Sequence, residues 1–260
     1  MVEAFAVASG KGGTGKTTST LALGMALSAD YDVTVVDADT GMANLLFHAG
    51  LSEVDTTLHD VLGDEAPVEA ATYERFGMTV VPCGTSLDGF RDADAARLRE
   101  VVATLSADTD VILLDSAAAL GSRSAVLPIV LADRVVVVLQ PTIPSLSDAL
   151  KVQEYATSYG TGVAGTLFNK VREDDAIDRV AEQSERYFEG PTLATVPAHE
   201  AAREARRAGR PLLAHAPDSP PAEAFRAAAA GIEVRDRASE DVADRFRSAV
   251  VPESPSDTHP

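Results

Sequence analysis

The chain has 260 residues, 45% of them apolar, and its 40 acidic and 22 basic side chains give a formal charge of −18. That is enough chain for one large domain with a substantial core, and it excludes a disordered or fibrous composition. The longest apolar run, around Val135 to Leu139, is strand-sized and short of the ~18 residues that span a bilayer.

One cysteine, Cys83, excludes an internal disulfide framework and a cysteine-rich metal site within a single chain. No secretory leader is visible, so a cytoplasmic protein is expected. A surface this acidic repels phosphodiester backbones and argues against non-specific DNA binding. Dense carboxylates, only four lysines and no tryptophan fit adaptation to strong salt, where molar ions screen repulsion over ~3 Å. A halophilic source is expected, and the global charge then says little about partners.

Taken in chain order, short runs rich in Val, Ile and Leu predict strands at 4–8, 33–37, 78–82, 111–115, 134–139, 162–168 and 192–196. The runs are continuous rather than alternating, as in strands covered on both faces. Helices are expected at 17–29, 93–106, 145–158, 175–188 and 200–208. The alternation specifies an α/β fold, a mostly parallel twisted sheet with helices on both faces. One domain is expected over 1–235, followed by an acidic, Pro- and Ser-containing flexible tail over 236–260.

Between the first strand and first helix lies Gly10-Lys11-Gly12-Gly13-Thr14-Gly15-Lys16-Thr17-Thr18, which satisfies G-x-x-x-x-G-K-[ST] in the required strand–loop–helix setting. Glycines let backbone N–H groups close around phosphate oxygens, and the helix N-terminus adds its positive dipole end. Lys16 is placed to reach the β- and γ-phosphates of ATP, and Thr17 to offer its hydroxyl to Mg²⁺. These features specify a three-layer P-loop NTPase fold.

Lys11, directly after the first glycine, makes the motif resemble the deviant Walker A signature K-G-G-x-G-K-[ST] of the MinD/ParA-type P-loop ATPases. The resemblance runs from residue 2 to about 232 and is most specific over the first 45 residues. It implies a homodimer in the ATP-bound state, with Lys11 reaching across to the partner's phosphates. A cation held away from its own site stabilises transition-state charge only when two subunits meet.

The second strand ends in Val36-Asp37-Ala38-Asp39-Thr40-Gly41-Met42-Ala43-Asn44-Leu45, similar to the family's switch I, and Asn44 joins the nucleotide-binding set with it. Carboxylates at the carboxyl end of a parallel strand face the nucleotide crevice. Asp39 is the candidate for orienting or deprotonating the attacking water, and Asp37 for supporting the metal shell. The run 111–115 resembles a Walker B strand whose Asp115 serves the Mg²⁺ water network. The next segment, Ser116-Ala117-Ala118-Ala119-Leu120-Gly121, departs from the family: the usual proline is absent and the glycine comes two positions late. Slow intrinsic hydrolysis is therefore expected. Asn169, Lys170 and Pro197, at the ends of the last two strands, resemble the family's adenine-binding elements.

Other features point to no separate chemistry. An iron–sulfur cluster bridging two subunits needs at least two cysteines per chain, so that branch is excluded. The five histidines lack metal-ligand spacing and receive no role. Arg203, Arg206, Arg207 and Arg210 alternate with Glu200 and Glu204, as on a solvated, ion-paired face rather than a DNA surface. Val242, Phe246 and Val250 form a short apolar stripe flanked by Asp241 and Asp244, too weak and too acidic to dock on anionic lipid.

The resemblance implies an ATP-driven dimerisation switch. Such a switch positions a division site, motility or chemosensory machinery, or a DNA cargo, with a partner protein that activates it or carries the cargo. The alternatives are a regulatory nucleotide-binding protein that hydrolyses weakly, and a metabolic or carrier ATPase of the same superfamily.

Overall fold

The β-branched runs form one eight-stranded sheet in the computed structural model, which describes residues 2–118, 123–173, 186–235 and 239–249. The strands are β1 (Glu3–Ala8), β2 (Val33–Asp37), β3 (Tyr73–Arg75), β4 (Met78–Val81), β5 (Val111–Asp115), β6 (Arg134–Leu139), β7 (Gly162–Val171) and β8 (Thr192–Pro197). Their order is β3-β4-β2-β5-β1-β6-β7-β8, and every neighbouring pair is parallel except β3–β4. β1, β2, β5 and β6 are buried along their whole lengths.

Because successive strand side chains point to opposite faces, the core divides by residue parity. Phe5, Val7, Val35, Leu113 and Val136 pack with the helices Lys16–Leu27, Glu200–Arg207, Leu212–His215 and Pro220–Ala230 on one face. On the other face Ala4, Val36, Ile112 and Leu114 pack with the helices Leu58–Leu62, Leu98–Leu105 and Ser239–Ser248. Still on that second face, Ala6, Ala8, Val135 and Val137 meet the helix Ile143–Ser158.

The differences from the sequence-based expectations are local. β3, a three-residue antiparallel edge strand, carries no apolar run and is not expected from the sequence. The helix expected over 93–106 is divided: the Asp94 carboxylate accepts the Ala96 N–H at 2.9 Å and starts a 3₁₀ turn, Ala95–Arg97, before the α-helix Leu98–Leu105. β7 continues three residues past its expected end, which brings Asn169 and Lys170 into the strand. Most of the helix expected over 175–188 lies outside the described residues.

At positions 239–249 the chain is packed, in contrast to the flexible tail expected there. Val242, Ala243 and Phe246 are buried among Leu98, Val101 and Val102, and Arg247 lies 3.6 Å from Glu100. The i, i+4 stripe that is too short for a bilayer suffices against a neighbouring helix. Just before it, the fully buried Glu3 accepts two hydrogen bonds from Arg134, at 2.7 and 2.9 Å, and one from the Arg235 N–H at 2.7 Å. Arg134 also donates to the Glu233 carbonyl and lies 5.0 Å over the Phe5 ring. This satisfied buried pair ties residues 233–235 to the base of the sheet.

Candidate nucleotide site

β1, β2 and β5 are adjacent in the sheet and end together, with Val7 opposite Asp115 and Asp115 opposite Asp37. The phosphate loop, switch I and the Walker B carboxylate thus meet at the carboxyl edge, where ligands bind in open α/β sheets.

The loop 9–15 is braced from several sides. Gly15 stands before the first helix with φ +99°, a left-handed conformation, and a Cβ there would come within 2.3 Å of Asn169 Nδ2. Asn169 Nδ2 donates to the Thr14 carbonyl at 2.8 Å, and Lys170 Nζ donates to the Gly13 carbonyl at 2.7 Å. Ser9 Oγ donates to the Lys11 carbonyl at 2.9 Å. Gly10 fits because it has no side chain, since a Cβ would lie 2.3 Å from the Asp148 carbonyl oxygen. The Thr14 hydroxyl is buried with no hydrogen-bond partner among the described residues.

Lys16 is buried, and burial lowers its pKa from the ordinary lysine value against the opposing pull of Asp115 and Asp39. Asp115 is also buried. Desolvation pushes its pKa up to about 6, while the hydroxyls of Thr17 and Thr20 and the charge of Lys16 hold it down. Thr20 Oγ1 donates to Asp115 Oδ1 at 3.0 Å. Thr20 lies outside the phosphate-loop motif, and its place one helical turn after Lys16 is the i, i+4 signal that finds it.

Asp37 organises switch I. Its carboxylate accepts the Asp39 N–H at 3.3 Å and the Leu45 N–H at 3.1 Å, and burial followed by the nearby Asp115 charge raises its pKa well above the usual carboxylate value. Asp39 is half-exposed and accepts the Met42 N–H at 3.0 Å, while Asn44 Nδ2 donates to the Met42 carbonyl at 3.2 Å. Asn44 therefore shapes the turn in this structure. Among the described residues no three carboxylate, His or Cys side chains gather closely enough to hold a metal ion alone. Mg²⁺ sites in general use one or two protein groups together with phosphate oxygens and water, a mode that Thr17 and Asp115 suit.

Lys11 is half-exposed and pairs with no carboxylate among the described residues. Switch II starts beside the loop. Ser116 Oγ donates to the Val7 carbonyl at 2.8 Å, and Ala118 Cβ lies 3.8 Å from where a Cβ on Gly12 would be. Ala119, Leu120 and Gly121 lie outside the described residues.

Asn169, the expected base reader, also touches the phosphate loop. It is buried, its amide nitrogen is engaged by Thr14, and its oxygen accepts the Lys170 N–H at 2.9 Å, so it acts as a strut under the phosphate loop. Pro197 pairs in register with Val171 at the end of β8. Thr18 lines a narrow cleft with His48, Arg206 and Arg210. Burial and then the charge of Arg206 lower the pKa values of both His48 and Lys170. A second cavity, about 400 Å³ between residues 61–68 and 97–104, includes no residue of the phosphate loop or the switches.

A glycine-rich loop with a buried lysine, opening on two in-register aspartates, defines a P-loop nucleotide-binding domain. The model of the CobQ/CobB/MinD/ParA nucleotide binding domain matches residues 5–212, and the chain belongs to that family. It is 38% identical to an uncharacterized ATP-binding protein of Methanocaldococcus jannaschii over 227 residues, 86% of this chain and 85% of that protein. The cell division ATPase MinD of Pyrococcus furiosus superposes with a TM-score of 0.82 at 34% identity, covering 89% of this chain and 98% of that one. The septum site-determining protein MinD of Pyrococcus horikoshii, solved with Mg-ADP, gives 0.80 at 32% identity over 88% and 95%.

Proposed function

We propose that this chain is an ATP-binding and ATP-hydrolysing switch that dimerises with ATP and positions a cellular structure through a partner protein. The observation that carries the reading is the arrangement of two lysines on one phosphate loop. Lys16 is buried against Asp115, and Lys11 stands half-exposed with no carboxylate partner among the described residues. Similarity to MinD proteins described as a cell division ATPase and as septum site-determining supports spatial positioning as the role. No helix among the described residues is long and apolar enough to cross a membrane, and recruitment through a partner suits that.

In this mechanism the backbone amides of 10–16 and the Lys16 ammonium bind the phosphates of ATP. Thr17 and Asp115 would hold Mg²⁺, and Asp37 supports that shell from the neighbouring strand. The donor set fits, because a desolvated carboxylate bonded to the Thr17 and Thr20 hydroxyls gains from a nearby cation. When bound, the ion neutralises charge on the β- and γ-oxygens. Asp39, fixed by the Met42 N–H, orients or deprotonates the water that attacks the γ-phosphorus, giving ADP and phosphate. Lys11 supplies its charge to the partner subunit's phosphates.

Ala117 and Ala119, in place of the family's proline and glycine, favour a slow basal rate and keep a weakly hydrolysing regulator as the second reading. The test is nucleotide binding and phosphate release by wild type, Lys16→Ala and Asp39→Ala. The switch reading expects Lys16→Ala to lose both and Asp39→Ala to bind ATP without turnover. Full phosphate release by Lys16→Ala would overturn it.

A further inference from the structure

His59 lies in the helix Leu58–Leu62 and is only 4% exposed. Its Nε2 is 2.9 Å from the carbonyl oxygen of Thr40, the residue after Asp39 in switch I. A carbonyl only accepts, so Nε2 carries a proton and donates. Nδ1 is buried and meets no partner among the described residues.

The ring is enclosed by a third segment. A Cβ on Gly84 or Gly89 would come within 2.9 or 3.1 Å of Nδ1. Phe90 stands 6.5 Å from the ring at 54°, and its Cε2 would lie 3.7 Å from a Cβ on Gly41. Among the described residues the bond from His59 is the one hydrogen bond that holds the Thr40–Gly41 backbone. Asp37 fixes switch I on either side of that gap, at Asp39 and at Leu45.

We propose that His59 is a positioning residue for hydrolysis, latching switch I through Thr40 to the segment around Gly84–Phe90 so that Asp39 keeps its place beside the phosphate loop. The effect on turnover rests on the hydrolytic reading above, whereas the latch itself does not. His59 stands 19 residues from Thr40 in sequence, so this bond joins two segments distant in the chain.

Three variants separate the donor from the volume. His59→Gln places an amide nitrogen near the Nε2 position, His59→Asn reaches only the Nδ1 position, and His59→Leu fills space without a donor. The first readout is amide hydrogen exchange over 38–46 in nucleotide-free protein, and the second is kcat and KM for ATP. Asn and Leu should speed exchange there by about tenfold and lower kcat by a similar factor with KM unchanged, while Gln stays near wild type on both. If Leu fails to fold, the Gln–Asn comparison still decides. Equal behaviour of Gln and Asn, or unchanged exchange over 38–46 in both, would overturn the latch. A wild type that binds ATP without hydrolysing it would sink the hydrolytic reading alone, and the exchange data would still judge the latch.

Discussion

Asp37 and Asp115 are the last residues of two adjacent parallel strands and face each other in register, both buried. Burial out of water is the main reason that Asp115 rises to about 6, and burial followed by the Asp115 charge lifts Asp37 well above its usual range. Before any nucleotide arrives, the site therefore carries a cost that a cation relieves.

That cost has a sign in pH. With the folded pKa of Asp115 raised from 3.8 to about 6, the folded state binds more protons than the unfolded state between those values, so stability falls as pH rises through that window. In EDTA and molar KCl, Asp115→Asn should be more stable than wild type at pH 7.5 by roughly 1–3 kcal/mol, with the difference shrinking below pH 6. Denaturant melts of both proteins from pH 4.5 to 8 measure it. A difference independent of pH would show that the pair carries no such cost.

Asn169 braces the phosphate loop from below, through the Thr14 carbonyl. Removing one such bond costs about 0.5–1.5 kcal/mol, so Asn169→Ala should weaken nucleotide binding by roughly three- to tenfold. A strut affects all nucleotides alike, so titration should show ATP and GTP losing the same factor. A loss confined to ATP would return Asn169 to the base.

The helix Ser239–Ser248 uses its apolar stripe internally. Phe246 is fully buried beside Val101 and Val102, and Phe246→Ala should cost roughly 3–5 kcal/mol in a denaturant melt. With Val242 and Phe246 occupied in the core, intact protein should stay at the bottom of a liposome flotation gradient with ATP in high salt. Flotation that disappears on truncation after Arg235 would contradict this.

What can be read from residue order alone tracks how local the physics is. The strands 33–37, 111–115 and 134–139 are legible to the residue, because a run buried on both faces leaves a continuous apolar signature. The loop 10–18 is legible because phosphate chemistry demands that spacing of glycines and lysine. β3 is hidden because its Tyr-Glu-Arg run becomes a strand only through pairing with β4. Residues 239–249 look like a tail because acids surround Val242 and Phe246, and only the facing helix Leu98–Leu105 reveals where that stripe goes. His59 draws no role from its lack of metal-ligand spacing, yet its partner is a backbone carbonyl, which residue types cannot signal. The resemblance places Asn169 at the site, but its contact with Thr14 is tertiary and emerges only in the fold.

If nucleotide controls assembly through Lys11, light scattering with size-exclusion chromatography in molar KCl shows it most directly. With hydrolysis blocked by Asp39→Ala, ATP and Mg²⁺ should double the mass from monomer to dimer, ADP should leave it single, and adding Lys11→Ala should abolish the doubling while ATP still binds. A protein that stays monomeric with ATP bound, or a Lys11→Ala variant that dimerises as well as its parent, would contradict the dimerisation switch.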